Sequence, residues 1–162
     1  MHDIEYEWVK GIQYQDRIYQ FLKEINAIMI PTLSDRVCIS DYSKKLASLA
    51  ENLFIVQNGC DIASCSVYCN SEVAFISSIA VKKEFLNRGI GTFLINETKQ
   101  YTRRKKCKSI QLEVYCQNSR ALKFYKKNSF VIIAEKSGLI KMEYLFETRE
   151  HDREHSVIEA NK

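Results

Sequence analysis

Two closely spaced glycines stand out in the segment SSIAVKKEFLNRGIGTFLINETKQ, which spans residues 77–100. Gly89 and Gly91 lie between an apolar, strand-like run and a segment with helical periodicity, in a chain with only 5 glycines. A turn with so little side chain lets backbone N–H groups approach a ligand, and a helix start adds about half a positive charge. Together these features favour a site for phosphate or pyrophosphate. The alternative is a tight strand-to-helix turn that binds nothing.

Two common nucleotide-binding motifs do not fit this segment. A P-loop requires GxxxxGK followed by Ser or Thr, and that pattern is absent. A dinucleotide-binding motif requires a third glycine at the position that Leu94 occupies, and no βαβ unit opens the chain. The turn therefore belongs to neither class.

The composition is that of an ordinary globular domain. The 162 residues are 46% hydrophobic and 27% charged, and a chain of this length can bury one core. The net charge of +4 suits an anionic cofactor or substrate without requiring nucleic acid. The densest basic cluster, KQYTRRKKCK at residues 99–108, is interpreted as a solvated helix end whose cations offset the helix dipole. An anion-binding patch and a salt-sensitive nucleic-acid module are the alternatives for that cluster.

We expect a cytoplasmic protein with reduced thiols. No run approaches the roughly 20 apolar residues of a membrane span, and the N-terminal residues lack the pattern of a signal peptide. The six cysteines include no CxxC pair, so we expect free thiols in the core and no structural metal. The sequence HDREH at residues 151–155 formally matches a zinc-protease motif. Its polar flanks and missing third ligand indicate a chance match. The cysteines are Cys38, Cys60, Cys65, Cys69, Cys107 and Cys116.

Hydrophobic periodicity predicts the elements that must position the glycine turn. Their order is β-α-α-β-β-β-α-β-α-β-β, which indicates a mixed α/β domain. Asn58 and Gly59 predict a hairpin, and a second turn is expected at residues 136–138. Ser40 or Asp41 is expected to cap the second helix.

Two further expectations concern the helices beside the glycine turn. Ile90, Phe93 and Leu94 are expected to share one face of the third helix. Asn118 is a natural N-cap for the short helix that follows the next strand.

Two linked segments resemble the GCN5-related N-acetyltransferases, the GNAT superfamily. They are IAVKKEFLNRGIG at residues 79–91 and LEVYCQNSRALKFYKKNSF at residues 112–130, within a likeness that runs from about residue 50 to 146. The resemblance implies an α/β (α+β) GNAT fold with a mixed central sheet of about 6–7 strands, splayed central parallel strands and helices on both faces. It also implies a single acetyltransferase domain at residues 1–146, followed by a polar tail at residues 147–162.

The resemblance also assigns roles to individual residues. The spacing of Glu113, Asn118 and Tyr125 is similar to that of the ribosomal-protein N-terminal acetyltransferases, one branch of the family. Tyr125 is expected to donate a proton to the leaving thiolate, and Glu113 is the candidate general base. A glutamate is a weak base in water, so burial or a water relay would have to assist it. The residues expected to bind the cofactor are Ile79, Ala80, Val81, Arg88, Gly89, Ile90, Gly91, Thr92, Asn118 and Tyr125.

The sequence departs from the family pattern in two places. Leu86 occupies the position of the Gln or Arg that usually opens the pyrophosphate loop. Ser129 stands where a glycine usually precedes the aromatic residue after the short helix, and we expect Asn128 to adopt the left-handed cap instead. Strand alternation points Cys116 away from Glu113, which disfavours Cys116 as an acyl-carrying nucleophile.

The function implied by the resemblance is direct transfer of an acetyl group from acetyl-CoA to a primary amine, without a metal. The acceptor is an amine of a small molecule, with an amino sugar as one candidate, or a protein or peptide amine. The alternative is a non-catalytic acyl-CoA-binding domain of the same fold. We expect acceptor recognition by the early helices and by residues 31–40 and 136–141, no nucleic-acid or membrane partner, and a monomer or homodimer.

Overall fold

The computed structural model describes residues 3–148, which form one mixed sheet with helices on both faces. The predicted order of elements is confirmed over this range. The strands are β1 (Ile4–Val9), β2 (Glu51–Gln57), β3 (Cys60–Tyr68), β4 (Val73–Val81), β5 (Ser109–Tyr115), β6 (Val131–Lys136) and β7 (Leu139–Leu145). The α-helices are α1 (Gln15–Ile25), α2 (Ile39–Leu49), α3 (Ile90–Arg104) and α4 (Ser119–Lys127). The HDREH motif and most of the tail expected at residues 147–162 lie outside the described residues.

The sheet separates two hydrophobic clusters. Its strand order is β1-β2-β3-β4-β5-β7-β6, and every neighbouring pair is antiparallel except β4 and β5. One cluster joins the sheet to α3 and α4 and contains Leu94, Leu112 and Tyr125. The other joins it to α1 and α2 and contains Phe21 and Leu46. None of the helices within residues 3–148 is long and apolar enough to cross a membrane.

The two central parallel strands part after a short stretch of pairing. Residues 73–75 of β4 pair with residues 109–111 of β5, and the pairing stops there. Beyond that point β4 continues beside β3, and β5 continues beside β7. The result is a gap that opens towards the C-terminal ends of both strands, as the family resemblance implies.

A β-bulge lies at the point where the strands part. Ser66 of β3 pairs with Ser78, whereas the next residue, Val67, pairs with Ile76, so Ser77 has no partner on β3. Ile76 belongs to the α3 cluster and Ile79 packs against the same cluster, although the two are three positions apart and regular alternation would place them on opposite faces. The bulge therefore reverses the alternation of β4, so that the side chains after it point to the opposite faces from those that a regular strand would give them.

Several local expectations are tested by the backbone. The Asn58-Gly59 hairpin is confirmed, because both residues have positive φ values, 52° and 73°. The expected cap of α2 is wrong: Cys38 is the N-cap residue, and no side chain caps that helix. The expected shared face of α3 is wrong for Phe93, which is 39% exposed and contacts Tyr6 with a ring-centroid distance of 5.3 Å.

A fully buried asparagine ties the first strands to α2. The Asn52 amide donates to the carbonyl oxygens of Leu46, Ala50 and Val9 at 3.0, 3.1 and 3.3 Å. Its own oxygen accepts a hydrogen bond from the Ser66 hydroxyl at 2.6 Å. One side chain thus satisfies polar groups from four segments, which fixes how α2 meets the sheet.

Replacing this amide with an apolar group of similar size should destabilise the fold. We expect Asn52→Leu to lower the free energy of unfolding by about 3 kcal/mol, because several buried groups lose their partner at once. Ser66→Ala removes one of these bonds and should cost about 1 kcal/mol. Urea denaturation followed by circular dichroism measures both values. Equal losses in the two variants would contradict the role assigned to Asn52.

Candidate active site

The glycine turn leads directly into α3. Gly89 is the N-cap residue with a φ of 79°, a left-handed conformation that favours glycine, and no side chain caps the helix. The N–H groups of the first turn therefore have neither an intrahelical partner nor a side-chain acceptor. A Cβ built on Gly89 would have nothing within 4 Å, so the space beside it is open. Backbone donors in this arrangement fit a pyrophosphate group.

The second glycine has a different role. A Cβ on Gly91 would lie 3.2 Å from Cε2 and 3.3 Å from Cζ of Phe124, which is on α4. Gly91 thus allows the N-terminal turn of α3 to pack closely against α4. The two glycines serve separate purposes: one permits a positive φ, and the other permits a close helix contact.

The rest of the loop is exposed and basic. The Arg88 guanidinium lies 5.4 Å from the centroid of the Phe85 ring. Asn87 also has a positive φ, 61°, and its side-chain oxygen accepts a long hydrogen bond of 3.5 Å from Arg120 of α4. Leu86 is half-buried at the position where the family usually has a polar side chain. Arg88 is therefore the side chain of this loop best placed to supply a positive charge.

Tyr125 lies on α4 in the cluster shared with α3 and is 7% exposed. Its ring makes edge contacts with Phe124 and Phe130 at centroid distances of 5.3 and 5.8 Å. Burial raises the pKa of the Tyr125 phenol well above its usual range. The hydroxyl therefore remains protonated at neutral pH and is able to donate a proton.

Both ends of α4 are fixed. The Asn118 side chain accepts a hydrogen bond of 3.2 Å from the N–H of Ala121, which confirms the predicted N-cap. At the other end, the Lys99 amine of α3 donates to the Asn128 carbonyl at 2.7 Å and lies 3.9 Å from the centroid of the Tyr144 ring. Burial lowers the pKa of Lys99. These contacts hold Tyr125 at a fixed position relative to the glycine turn.

The expected C-terminal cap of α4 is wrong. Asn128 has a φ of −94°, whereas Ser129 has a φ of 71°. The Asn128 amide instead donates to the Phe124 carbonyl at 2.8 Å. Ser129 therefore adopts the left-handed conformation at the position where the family usually has glycine, even though that conformation is strained for a residue with a Cβ.

Glu113 faces the other side of the sheet. Its neighbours on β5, Leu112 and Val114, are buried in the cluster that contains Tyr125, whereas Glu113 is exposed and lies opposite Lys141 of β7. Glu113 therefore lacks the burial that was expected to assist it as a base. Glu113 and Tyr125 are not brought into contact; they lie on opposite faces of the sheet, beside the gap between β4 and β5.

The α2 face of the gap carries polar residues that the sequence analysis did not identify. The Tyr42 hydroxyl of α2 donates to the carbonyl oxygen of Ser77 at 3.0 Å and lies 2.6 Å from its side-chain oxygen. Ser77 is the bulged residue of β4. The signal in the sequence was the pair of serines in the apolar run EVAFISSIAV, which interrupts the alternation of that strand.

The cysteines only partly match the expectation. Cys65 and Cys107 are buried, as expected, but Cys38, Cys60 and Cys116 are exposed, and all six are free thiols. Burial raises the pKa of Cys65 to about 12, which makes it a poor nucleophile. Among residues 3–148, no group of three His, Cys, Asp or Glu side chains is placed to hold a metal ion.

Comparisons with known proteins agree with this geometry. A model of the acetyltransferase (GNAT) family matches residues 17–130. N-alpha-acetyltransferase 60 of Xenopus tropicalis is 37% identical over 73 residues, which cover 43% of this chain and 30% of that relative's own length. The paiA N-acetyltransferase from Thermoplasma acidophilum, solved in complex with coenzyme A, superposes with a TM-score of 0.73 at 17% identity, covering 89% of this chain and 99% of that one.

The ribosomal-protein-S18-alanine N-acetyltransferase from Escherichia coli superposes with a TM-score of 0.72 at 16% identity, covering 94% of this chain and 98% of that one. At these identities the structural likeness shows the shared fold. The family match spans most of the 162 residues. The chain belongs to the acetyltransferase (GNAT) family.

Proposed function

We propose that the protein is a cytoplasmic, acetyl-CoA-dependent N-acetyltransferase that acts as a monomer or homodimer and transfers an acetyl group directly to a primary amine. One observation supports this proposal above the others: β4 and β5 separate after three residue pairs, in a fold where an uncapped, glycine-flanked helix start follows β4 and a buried tyrosine lies on the helix after β5. The thioester of acetyl-CoA supplies the activated acyl group when it is bound.

The proposed cofactor site uses backbone groups more than side chains. The N–H groups of Gly89, Ile90, Gly91 and Thr92 would hold the pyrophosphate, with Arg88 adding charge. Ile90 is buried, so its backbone is fixed by packing. Along the gap, the unpaired backbone edge of β4 at Ile79, Ala80 and Val81 would bind an extended, amide-bearing chain as an added strand. Asn118 would contact the same chain while capping α4.

In the proposed chemistry, the proton donor and the proton acceptor lie on opposite faces of the sheet. Tyr125 holds a proton on the α4 face, where it would protonate the departing thiolate. Glu113 lies on the other face, where the acceptor amine would approach, and would receive the amine's proton directly or through water. Because Glu113 is exposed, a water relay is the more suitable route.

The acceptor we favour is a peptide or protein amine. The relatives named N-alpha-acetyltransferase 60 and ribosomal-protein-S18-alanine N-acetyltransferase support this class. An amino sugar or another small amine is the second candidate. A panel of N-terminal peptides and amino sugars, assayed for thiol release from acetyl-CoA, separates these acceptors. Tight coenzyme A binding without thiol release for any amine would favour a non-catalytic binding domain.

Removing the Tyr125 hydroxyl should slow turnover without affecting cofactor binding. Tyr125→Phe keeps the contacts of the ring with Phe124 and Phe130 but removes the proton donor, and we expect kcat to fall about 100-fold. Coenzyme A affinity, measured by calorimetry, should stay the same. The matched control is Tyr101→Phe. Tyr101 lies on α3, where its ring stacks on Trp8, and the variant should retain full activity. Unchanged turnover in Tyr125→Phe would remove its assigned role.

A side chain at Gly91 should weaken coenzyme A binding. Gly91→Val would force the start of α3 away from the Phe124 ring, displacing the backbone donors, and we expect Kd to rise about tenfold, or 1.4 kcal/mol. Gly91→Ala should have a smaller effect in the same direction. Gly59→Ala strains a positive φ in the distant hairpin and controls for general destabilisation. If Gly91→Val folds and binds coenzyme A normally, the proposed site is wrong.

A further inference from the structure

An arginine from the loop between α1 and α2 lies over the acceptor side of the gap. The Cζ atom of Arg36 is 5.4 Å from the centroid of the Tyr115 ring, at the end of β5. Strand alternation places Tyr115 on the same face as Glu113, away from the cluster that contains Tyr125. Arg36 is therefore on the face where the acceptor must enter.

The Arg36 guanidinium also affects the pKa of Tyr42, a residue of α2. Burial raises the pKa of the Tyr42 hydroxyl to about 12, and the hydrogen bond to Ser77 and the positive charge of Arg36 both oppose this rise. Tyr42 is bonded to the bulged residue of β4. Arg36 thus lies over Tyr115 of β5 and close enough to Tyr42 of α2, which binds β4, to influence its pKa.

The loop that carries Arg36 is anchored before any ligand binds. Leu33 is 2% exposed and packs in the α1–α2 cluster. Its carbonyl accepts a hydrogen bond from the Arg36 N–H at 3.0 Å. The neighbouring Ser34 N–H donates to the Asn26 side chain at 2.7 Å. The backbone of this loop is therefore held in place by the fold, which reduces the entropy lost when the loop binds a ligand.

Within residues 3–148, the guanidinium of Arg36 has no salt-bridge partner. None of the salt bridges formed within residues 3–148 includes it, although Arg17, Lys10, Lys82 and Lys108 all make such contacts. The side chain is exposed. An arginine stacked on an aromatic ring still presents the edge of its planar fork, which binds a carboxylate through two parallel hydrogen bonds.

We propose that Arg36 binds an anionic group of the acceptor, so that the preferred substrate is an amine that carries a carboxylate a few bonds away. This inference rests on the proposed function and names its substrate class. Glu113 lies two residues before Tyr115, about 7 Å along the strand. The face thus presents a carboxylate for the amine and a guanidinium for the anion, which matches a bipolar acceptor.

The test compares acceptors that differ only in whether they carry the carboxylate that Arg36 would bind. One pair is a C-terminally amidated peptide with aspartate at its second position and its twin with asparagine there; a second pair is 4-aminobutanoate and 4-aminobutanamide, which separates a peptide from a small-molecule source. Binding is measured by calorimetry to the protein saturated with coenzyme A, so that no turnover is needed. We expect the acid of at least one pair to bind about tenfold more tightly than its amide twin.

Variants at Arg36 should change the ratio of the affinity for the acid to the affinity for its amide twin, and should leave coenzyme A binding unaltered. Arg36→Met should reduce the ratio to about one, Arg36→Lys should retain part of it, and Arg36→Glu should reverse it. Lys44→Met removes an exposed cation from α2 and should leave the ratio unchanged. Thermal denaturation checks that each variant is folded.

The outcomes separate this inference from the proposed function. Equal affinities within both pairs, failure of all four compounds to bind, or an unchanged ratio in Arg36→Met overturns the role of Arg36. Absence of thiol release from acetyl-CoA with every amine would instead overturn the enzymatic activity.

Discussion

The structure depends on an interruption of hydrogen bonding in the middle of its sheet. β4 and β5 share three residue pairs and then separate, although each keeps its other neighbour. Peptide groups that face the gap are deprived of the partners that a continuous sheet would supply, and an unpaired buried polar group costs about 1–3 kcal/mol. Water or an extended ligand with its own amides would satisfy them, which is why the proposed function places the cofactor chain along this gap.

The surrounding contacts keep this gap open. The bulge at Ser77 turns the end of β4 away from β5, and the Tyr42 hydroxyl binds the bulged residue from α2. On the other face, the close approach of α3 to α4 at Gly91 and the Lys99 bond to Asn128 fix the two helices to each other. The α2 layer therefore contacts β4 at its bulge, while α3 and α4 form a fixed pair on the opposite face of the sheet.

The features that the sequence predicted are those encoded by neighbouring residues. Asn58-Gly59 specified a hairpin, Asn118 specified a cap, and apolar periodicity specified every strand and helix in order. The errors occurred where a tertiary contact outweighed local preference. Ser129 accepts a strained φ because the packed Phe130 follows it, and Phe93 contacts Tyr6 rather than the core. The sequence analysis assigned residues 31–40 to acceptor recognition without singling out Arg36, because its position over Tyr115 depends on where that loop crosses the sheet.

The separation of Tyr125 from Glu113 by the sheet has a chemical consequence. If a carboxylate lay beside the phenol, the tyrosine hydroxyl would donate its hydrogen bond to that carboxylate and would no longer be a free donor. Here the phenol is surrounded by apolar rings, where burial favours its neutral form, while the carboxylate remains in contact with solvent. The sheet thus separates a buried phenol from an exposed carboxylate, which is the arrangement that the proposed proton transfers require. On the proposed function, acceptor choice could vary with the loop over the exposed face, since the groups proposed to hold the acyl donor lie on other elements.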